Sequence, residues 1–181
     1  MADSKRDNAI DRFIEGSVRF EGVAADAASR EKTRKRLRKA LKLIPEEAQD
    51  LFLKSERRLT LVIKPDPVVP LGMATIVEGP RTSRSYTITI YEEQTHRPED
   101  LFVGSVLREL GHVVLERPPE REWPEARAER ARYKQALECR ADAEVWKWGL
   151  RHYSMRHLTA TYPPHWVDTI VEEIEKRLTE E

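Results

Sequence analysis

Three short β-branched runs stand together between residues 59 and 91, with helical periodicity on both sides of them. That order predicts an α+β domain. The runs are Leu59–Ile63, Met73–Val77 and Arg84–Tyr91. The first is stopped by Lys64-Pro65-Asp66-Pro67 and the second by Gly79-Pro80, turn chemistry that ends strands. The third alternates, with Tyr86, Ile88 and Ile90 on one face and Thr87 and Thr89 on the other. A half-polar strand of that kind suits a sheet edge. The expected sheet is small, with about three strands.

The flanks read as helices. From Glu31, Leu37, Ala40, Leu41 and Ile44 recur at helical spacing until Pro45, which opens a second helix over Glu46–Ser55. Another helix begins near Pro98-Glu99-Asp100, with carboxylates in the first turn where the helix dipole favours them. It runs through Leu101, Val106, Leu107, Leu110, Val113 and Val114 to a stop at Pro118-Pro119. Pro124–Tyr153 and Pro164–Leu178 complete the set. Residues 1–29 carry only Ile10, Phe13, Ile14, Val18 and Phe20 as bulky apolar groups. They are expected to form a partly ordered N-terminal arm docked by Phe13 and Phe20, ahead of a single domain over 30–181.

At 181 residues a domain buries roughly 70% of its extended surface, so one core suffices without disulfides or a structural metal. Lys plus Arg number 32 and so do Asp plus Glu, so net charge exerts no global pull toward nucleic acid or anionic membrane. The lone cysteine, Cys139, excludes an intramolecular disulfide and reads as a small buried residue. No stretch approaches the ~18 consecutive apolar residues of a membrane span. The polar start Met1–Asp7 leads into no apolar segment. A cytoplasmic protein without a membrane partner is the expectation. Oligomeric state is not encoded in any such pattern.

Chemistry concentrates in Arg108-Glu109-Leu110-Gly111-His112. Positions 108 and 112 are one helical turn apart and share a face, with Glu109 beside them. Two histidines so placed clasp one zinc ion, and a glutamate between them can deprotonate its water. Taken alone, the pattern is better described as a half-buried histidine beside a solvated Arg/Glu pair. Downstream, Glu138-Cys139-Arg140-Ala141-Asp142 sets two carboxylates one turn apart. They can complete a metal site and orient a histidine, or simply pair with Arg130, Lys134 or Arg140 on a charged helix.

Taken together, the alternating strand Tyr86–Tyr91, the segment Val106–Val114 and Glu138-x-x-Ala-Asp142 resemble the minimal gluzincins among zincin metallopeptidases, over about residues 58–152. The resemblance implies a zincin-like sheet packed on a motif helix, with the alternating strand lining a substrate cleft. It implies Glu109 as general base, His112 and Glu138 as metal ligands and Asp142 as the acid behind them. Arg108 stands where the first histidine ligand belongs. Arginine has no lone pair to offer a metal and repels a dication, so an inactive or strongly impaired site is expected, with zinc weak or absent and Arg108 paired to Glu138 or Glu109. The expected function is then peptide-binding or regulatory.

Two alternatives stay open. One is an active zinc-dependent peptidase that uses His112, Glu138 and a substitute ligand drawn from His96, His152, His157 or His165. The other is an interaction or nucleic-acid-binding protein that uses the basic helix near Arg36, within Arg34–Lys42; the balanced charge disfavours nucleic acid. Four tryptophans, Trp123, Trp146, Trp148 and Trp166, are expected to divide between the core and an interface.

Overall fold

The computed structural model describes residues 2–54, 58–66, 73–78 and 85–180. Along the chain run α1 (Ala2–Ser17), β1 (Val18–Phe20), α2 (Ala27–Leu43), α3 (Glu46–Leu53), β2 (Arg58–Lys64), β3 (Ala74–Glu78), β4 (Ser85–Tyr91), α4 (Glu92–His96), α5 (Glu99–Val114), a short 3-10 turn (Glu120–Glu122), α6 (Arg127–Lys147), α7 (Arg151–Thr161) and α8 (Pro164–Glu180). The expected turns at Pro67 and Gly79-Pro80, together with Arg84 and Ser55, lie outside the described residues. Among the described residues no helix is long and apolar enough to cross a membrane.

The α+β class holds, with a mixed sheet of four strands in the order β1-β2-β4-β3. Strands β1, β2 and β4 are parallel, and β3 runs antiparallel to β4. Two expectations need correction here. The alternating strand, β4, is interior and not an edge, and its supposedly polar face is closed over because Thr89 is buried. The extra strand comes from the segment expected to be a loosely docked arm. There α1 places Ile10 and Ile14 one turn apart in the main core, and Val18 follows them inward from β1. The docking is done by these aliphatic residues, while Phe13 and Phe20 are only partly buried. One core therefore runs across the boundary drawn at residue 29.

Helix α2 starts on Asp26, whose carboxylate accepts from the Ser29 amide at 2.7 Å, an N-cap interaction that satisfies a terminal donor. Helix α5 follows Pro98 with Glu99 and Asp100 in its first turn. It ends before the prolines, because Glu116 enters the left-handed region (φ 55°) and the Arg117 amide reaches back to His112 O at 2.9 Å. The helix expected over Pro124–Tyr153 is two helices. Gly149, at φ 76°, closes α6 with its amide on Trp146 O and the Leu150 amide on Val145 O, the geometry that glycine permits after a helix C-terminus.

Every residue of α5 from Phe102 to Val113 is buried. It packs against α2, α6, α7 and β3, so it can carry no bulky group where a neighbour crosses closely. Gly104 and Gly111 mark these crossings. A Cβ on Gly104 would lie 2.6 Å from Tyr153 O, and one on Gly111 2.8 Å from Ala141 O. Both obstacles are backbone and cannot step aside as a side chain can. A smaller core of Cys139, Ala143, Trp146, Leu158, Val167, Ile170 and Ile174 joins α6, α7 and α8.

Gly111→Ala should therefore destabilise the fold by up to about 2 kcal/mol. Overpacking of about 1–3 kcal/mol outweighs the roughly 1 kcal/mol that alanine gains in a helix. Gly16→Ala, in α1 with open space around it, should be neutral or stabilising. Urea unfolding of both variants measures the contrast, and equal stability changes would mean that α6 does not press on Gly111.

Candidate functional site

The Gly111–Ala141 crossing sets the geometry of the site. Glu138 and Asp142 lie on either side of Ala141 along α6, one turn apart, so the contact that glycine allows presents both carboxylates to the face of α5 that carries Arg108 and His112. The Arg108 guanidinium lies between them, with Nη2 3.0 Å from Glu138 Oε2 and Nε 3.1 Å from Asp142 Oδ2. His112 Nε2 is 2.9 Å from the same Glu138 oxygen, and Arg117 Nη1 approaches Oε1 at 3.4 Å. The sequence expectation that Arg108 pairs with Glu138 is met, and Asp142 is a second partner. Glu109 is buried on the same helix and helps to keep Arg108 protonated.

Helix α7 supplies a third wall that the spacing of histidines could not reveal. Ser154 donates to Asp142 Oδ1 at 2.9 Å. One turn on, His157 Nδ1 is 3.0 Å from Ser105 Oγ, and its Nε2 is 3.5 Å from Arg108 Nη1. The Ser105 hydroxyl gives its proton to Leu101 O at 3.0 Å, so it accepts from His157 Nδ1–H. The Nε2 lone pair is thereby turned toward the guanidinium. Of the histidines considered as substitute ligands, only His157 reaches this cluster. His96, His152 and His165 are exposed, His96 as the last residue of α4 and not in a loop.

Electrostatics follow from burial. Desolvation works against the Arg108 charge, but Asp142 and then Glu138 more than offset it, so its pKa is raised. Burial also acts against the Glu138 carboxylate. The hydrogen bond from His112 and the charge of Arg108 prevail, and its pKa falls well below the usual carboxylate range. Asp142 is more deeply buried, and desolvation pushes it upward against Arg108 and Ser154. Desolvation and the Arg108 charge drive His157 down to about 3, which keeps the ring neutral. Cys139 points to the α6–α8 core, and burial first, then Asp142, lift its thiol to about 11.

The donor set does not fit a zinc ion. Arg108 has no lone pair, and Glu138, being ionised, can only accept, so His112 turns Nε2–H toward it and not a ligating lone pair. Among the described residues no three ligating side chains converge on one point; the guanidinium lies between them. Asp142 Oδ2 and Arg108 Nε are in charge contact yet lack an aligned hydrogen bond, so the cluster is held mainly by charge.

Within the basic segment, Arg36 itself is turned inward. Arg36 is 8% exposed. Its Nη1 donates to Thr95 O and Arg97 O at 2.9 Å each, and its guanidinium lies over the Phe102 ring. Arg38 pairs with Asp11, Lys39 with Glu99 and Lys42 with Asp7. These contacts fasten α2 to α1 and α5 and break up a continuous basic surface. Of the tryptophans, Trp123 and Trp146 are buried, Trp148 packs partly against the main core, and Trp166 is 55% exposed.

Two outcomes are expected from this geometry. Arg108→Ala should lose about 3 kcal/mol, because it leaves buried carboxylates unpaired, and the loss should shrink in an Arg108→Ala/Glu138→Gln background. Urea melts of the single and double variants at pH 7 measure the coupling; additive losses would remove the ion pair as the cause. His157 sets a pH dependence. Its folded pKa, about 3, is below the ordinary histidine value of roughly 6.5. The unfolded chain therefore binds the extra proton first, and stability falls as pH drops from about 6.5 toward 3, by up to roughly 1.4 kcal/mol per pH unit. His157→Gln should flatten the pH 6.5–5 part of the profile, and an unchanged slope would show that the ring protonates in place.

Compared with known proteins, the chain matches no family model, no curated protein and no solved structure.

Proposed function

We propose that this protein is a zincin-like metallopeptidase homologue in which a fixed guanidinium has taken the place of the metal, leaving a noncatalytic scaffold with a peptide-binding or regulatory role. The observation that carries this reading is Arg108, at the first-ligand position of the motif, in contact with both carboxylates that the resemblance assigns to the site. In the family pattern Glu109 would be the general base, acting on a water made acidic by a dication. With a guanidinium there, no Lewis acid lowers the pKa of that water, and Glu109 has no activated nucleophile to deprotonate.

A second reading, an active zinc peptidase with a substitute ligand, draws on one observation. The His157 lone pair, fixed by Ser105, faces the position where Arg108 now sits. It requires Arg108 to leave the carboxylates.

Metal analysis separates the two. Protein purified from zinc-replete medium should carry well under one zinc per molecule, and Arg108→His should raise occupancy by restoring a lone pair at the first-ligand position. Circular dichroism of the variant establishes that it is folded. Stoichiometric, chelator-sensitive zinc in the wild type, lost in His157→Ala, would overturn the proposal and favour the active enzyme.

A further inference from the structure

Above the Arg108 cluster lies a cleft of about 330 Å³ between α6 and the α7–α8 corner. Its floor is Arg108, Glu138 and Asp142, and its walls include Lys134, Tyr162, Trp166 and Ile170. The size is at the lower end of small-molecule sites, and apolar walls over a few convergent polar groups are their usual composition. Trp166 stands at 55% exposure, where the other large apolar side chains among the described residues are buried or half-buried. An indole left in water at a cleft wall is a surface for an apolar group to cover.

A tally of charged partners decides what polar group accompanies that apolar body. Floor carboxylates beside aromatic walls would suit a cation, but both are already occupied. Glu138 receives Arg108 and His112 on one oxygen and Arg117 on the other. Asp142 receives Ser154 and Arg108. Among the described residues, one cation at the cleft is left without a partner. Lys134 is exposed and makes no ion pair among the described residues. Arg108 is nine-tenths buried and has five N–H groups. Three of these face Glu138, Asp142 and His157, which leaves two N–H groups on the guanidinium for an incoming anion.

We propose that this cleft binds a small monocarboxylate with an aromatic or branched apolar body. The carboxylate is held by Lys134 and the remaining N–H groups of Arg108, and the body lies against Trp166 and Ile170. The site stands whether or not the fold is related to metallopeptidases, since it rests on the charge tally and the cleft walls alone.

Titration calorimetry on the full chain tests it with three probes that share one body: 4-phenylbutyrate, its primary amide and 4-phenylbutylamine. The carboxylate should bind saturably, with the amide and the amine each weaker by about tenfold or more, as for loss of a hydrogen bond to a charged group. Lys134→Glu and Trp166→Ala should each weaken phenylbutyrate binding by at least about fivefold. Both side chains are exposed, so urea midpoints should stay near the wild-type value. Equal binding of the three probes, preference for the amine, no saturation by about 10 mM, or unchanged affinity in both variants would each overturn the proposal.

Discussion

A guanidinium that is nine-tenths buried is the constraint around which the centre of this protein is arranged. Unlike lysine or histidine, arginine cannot escape the cost of burial by giving up its proton. The surroundings must supply the compensation, and they do so from two other helices. Glu138 and Asp142 come from α6, and a neutral His157 from α7. The neutrality of His157 follows from the same cause, because a second cation at 3.5 Å from the first in a desolvated site would be repelled. Ser105, on the arginine's own helix, fixes which imidazole nitrogen keeps its proton.

That compensation depends on how closely the helices approach. Gly111 admits the α6 backbone at Ala141, and Gly104 admits the α7 backbone at Tyr153. The same approaches bring Arg108, Glu138, Asp142 and His157 into one buried place, so the two glycines and the ion cluster form one arrangement. The glycine of Glu-Leu-Gly-His and the alanine of Glu-x-x-Ala-Asp thus have a packing explanation whatever chemistry the site performs. Interactions of this kind, in which small residues permit contact and polar groups exploit it, are strongly coupled.

Much of the frame was legible in residue order, and the misses have local causes. The β-branched runs became β2, β3 and β4, and the apolar period of 101–114 became α5, because both signals repeat within one element. Strand β1 was missed because Val18-Arg19-Phe20 is too short to show alternation, and it exists only by pairing with β2. Gly149 was passed over inside a presumed helix, although it is the left-handed closure between α6 and α7. Arg36 was placed on a solvated face by its charged neighbours. It shares the inward face with Leu37 and Ala40, and the carbonyls of Thr95 and Arg97 make that burial tolerable. At the site, the Arg108–Glu138 pair followed from spacing on two helices. His157 did not, since its place comes from the α5–α7 crossing, which no spacing records.

The dimensions of the cluster bear on what Arg108 signifies. A zinc ion draws lone pairs to about 2.0–2.2 Å around one point. A guanidinium distributes its donors over a planar fork and takes acceptors at about 3 Å from several nitrogens. Here the partners are spread in the second manner. Asp142 faces Nε at 3.1 Å, Glu138 faces Nη2 at 3.0 Å, and the His157 lone pair faces Nη1 at 3.5 Å. Without a cation between them, those carboxylates would face one another with their mutual repulsion unrelieved. One nitrogen of the arginine against each partner is instead the arrangement expected when the cation is part of the design of the core. That is the physical reason to treat Arg108 as a structural cation of this core.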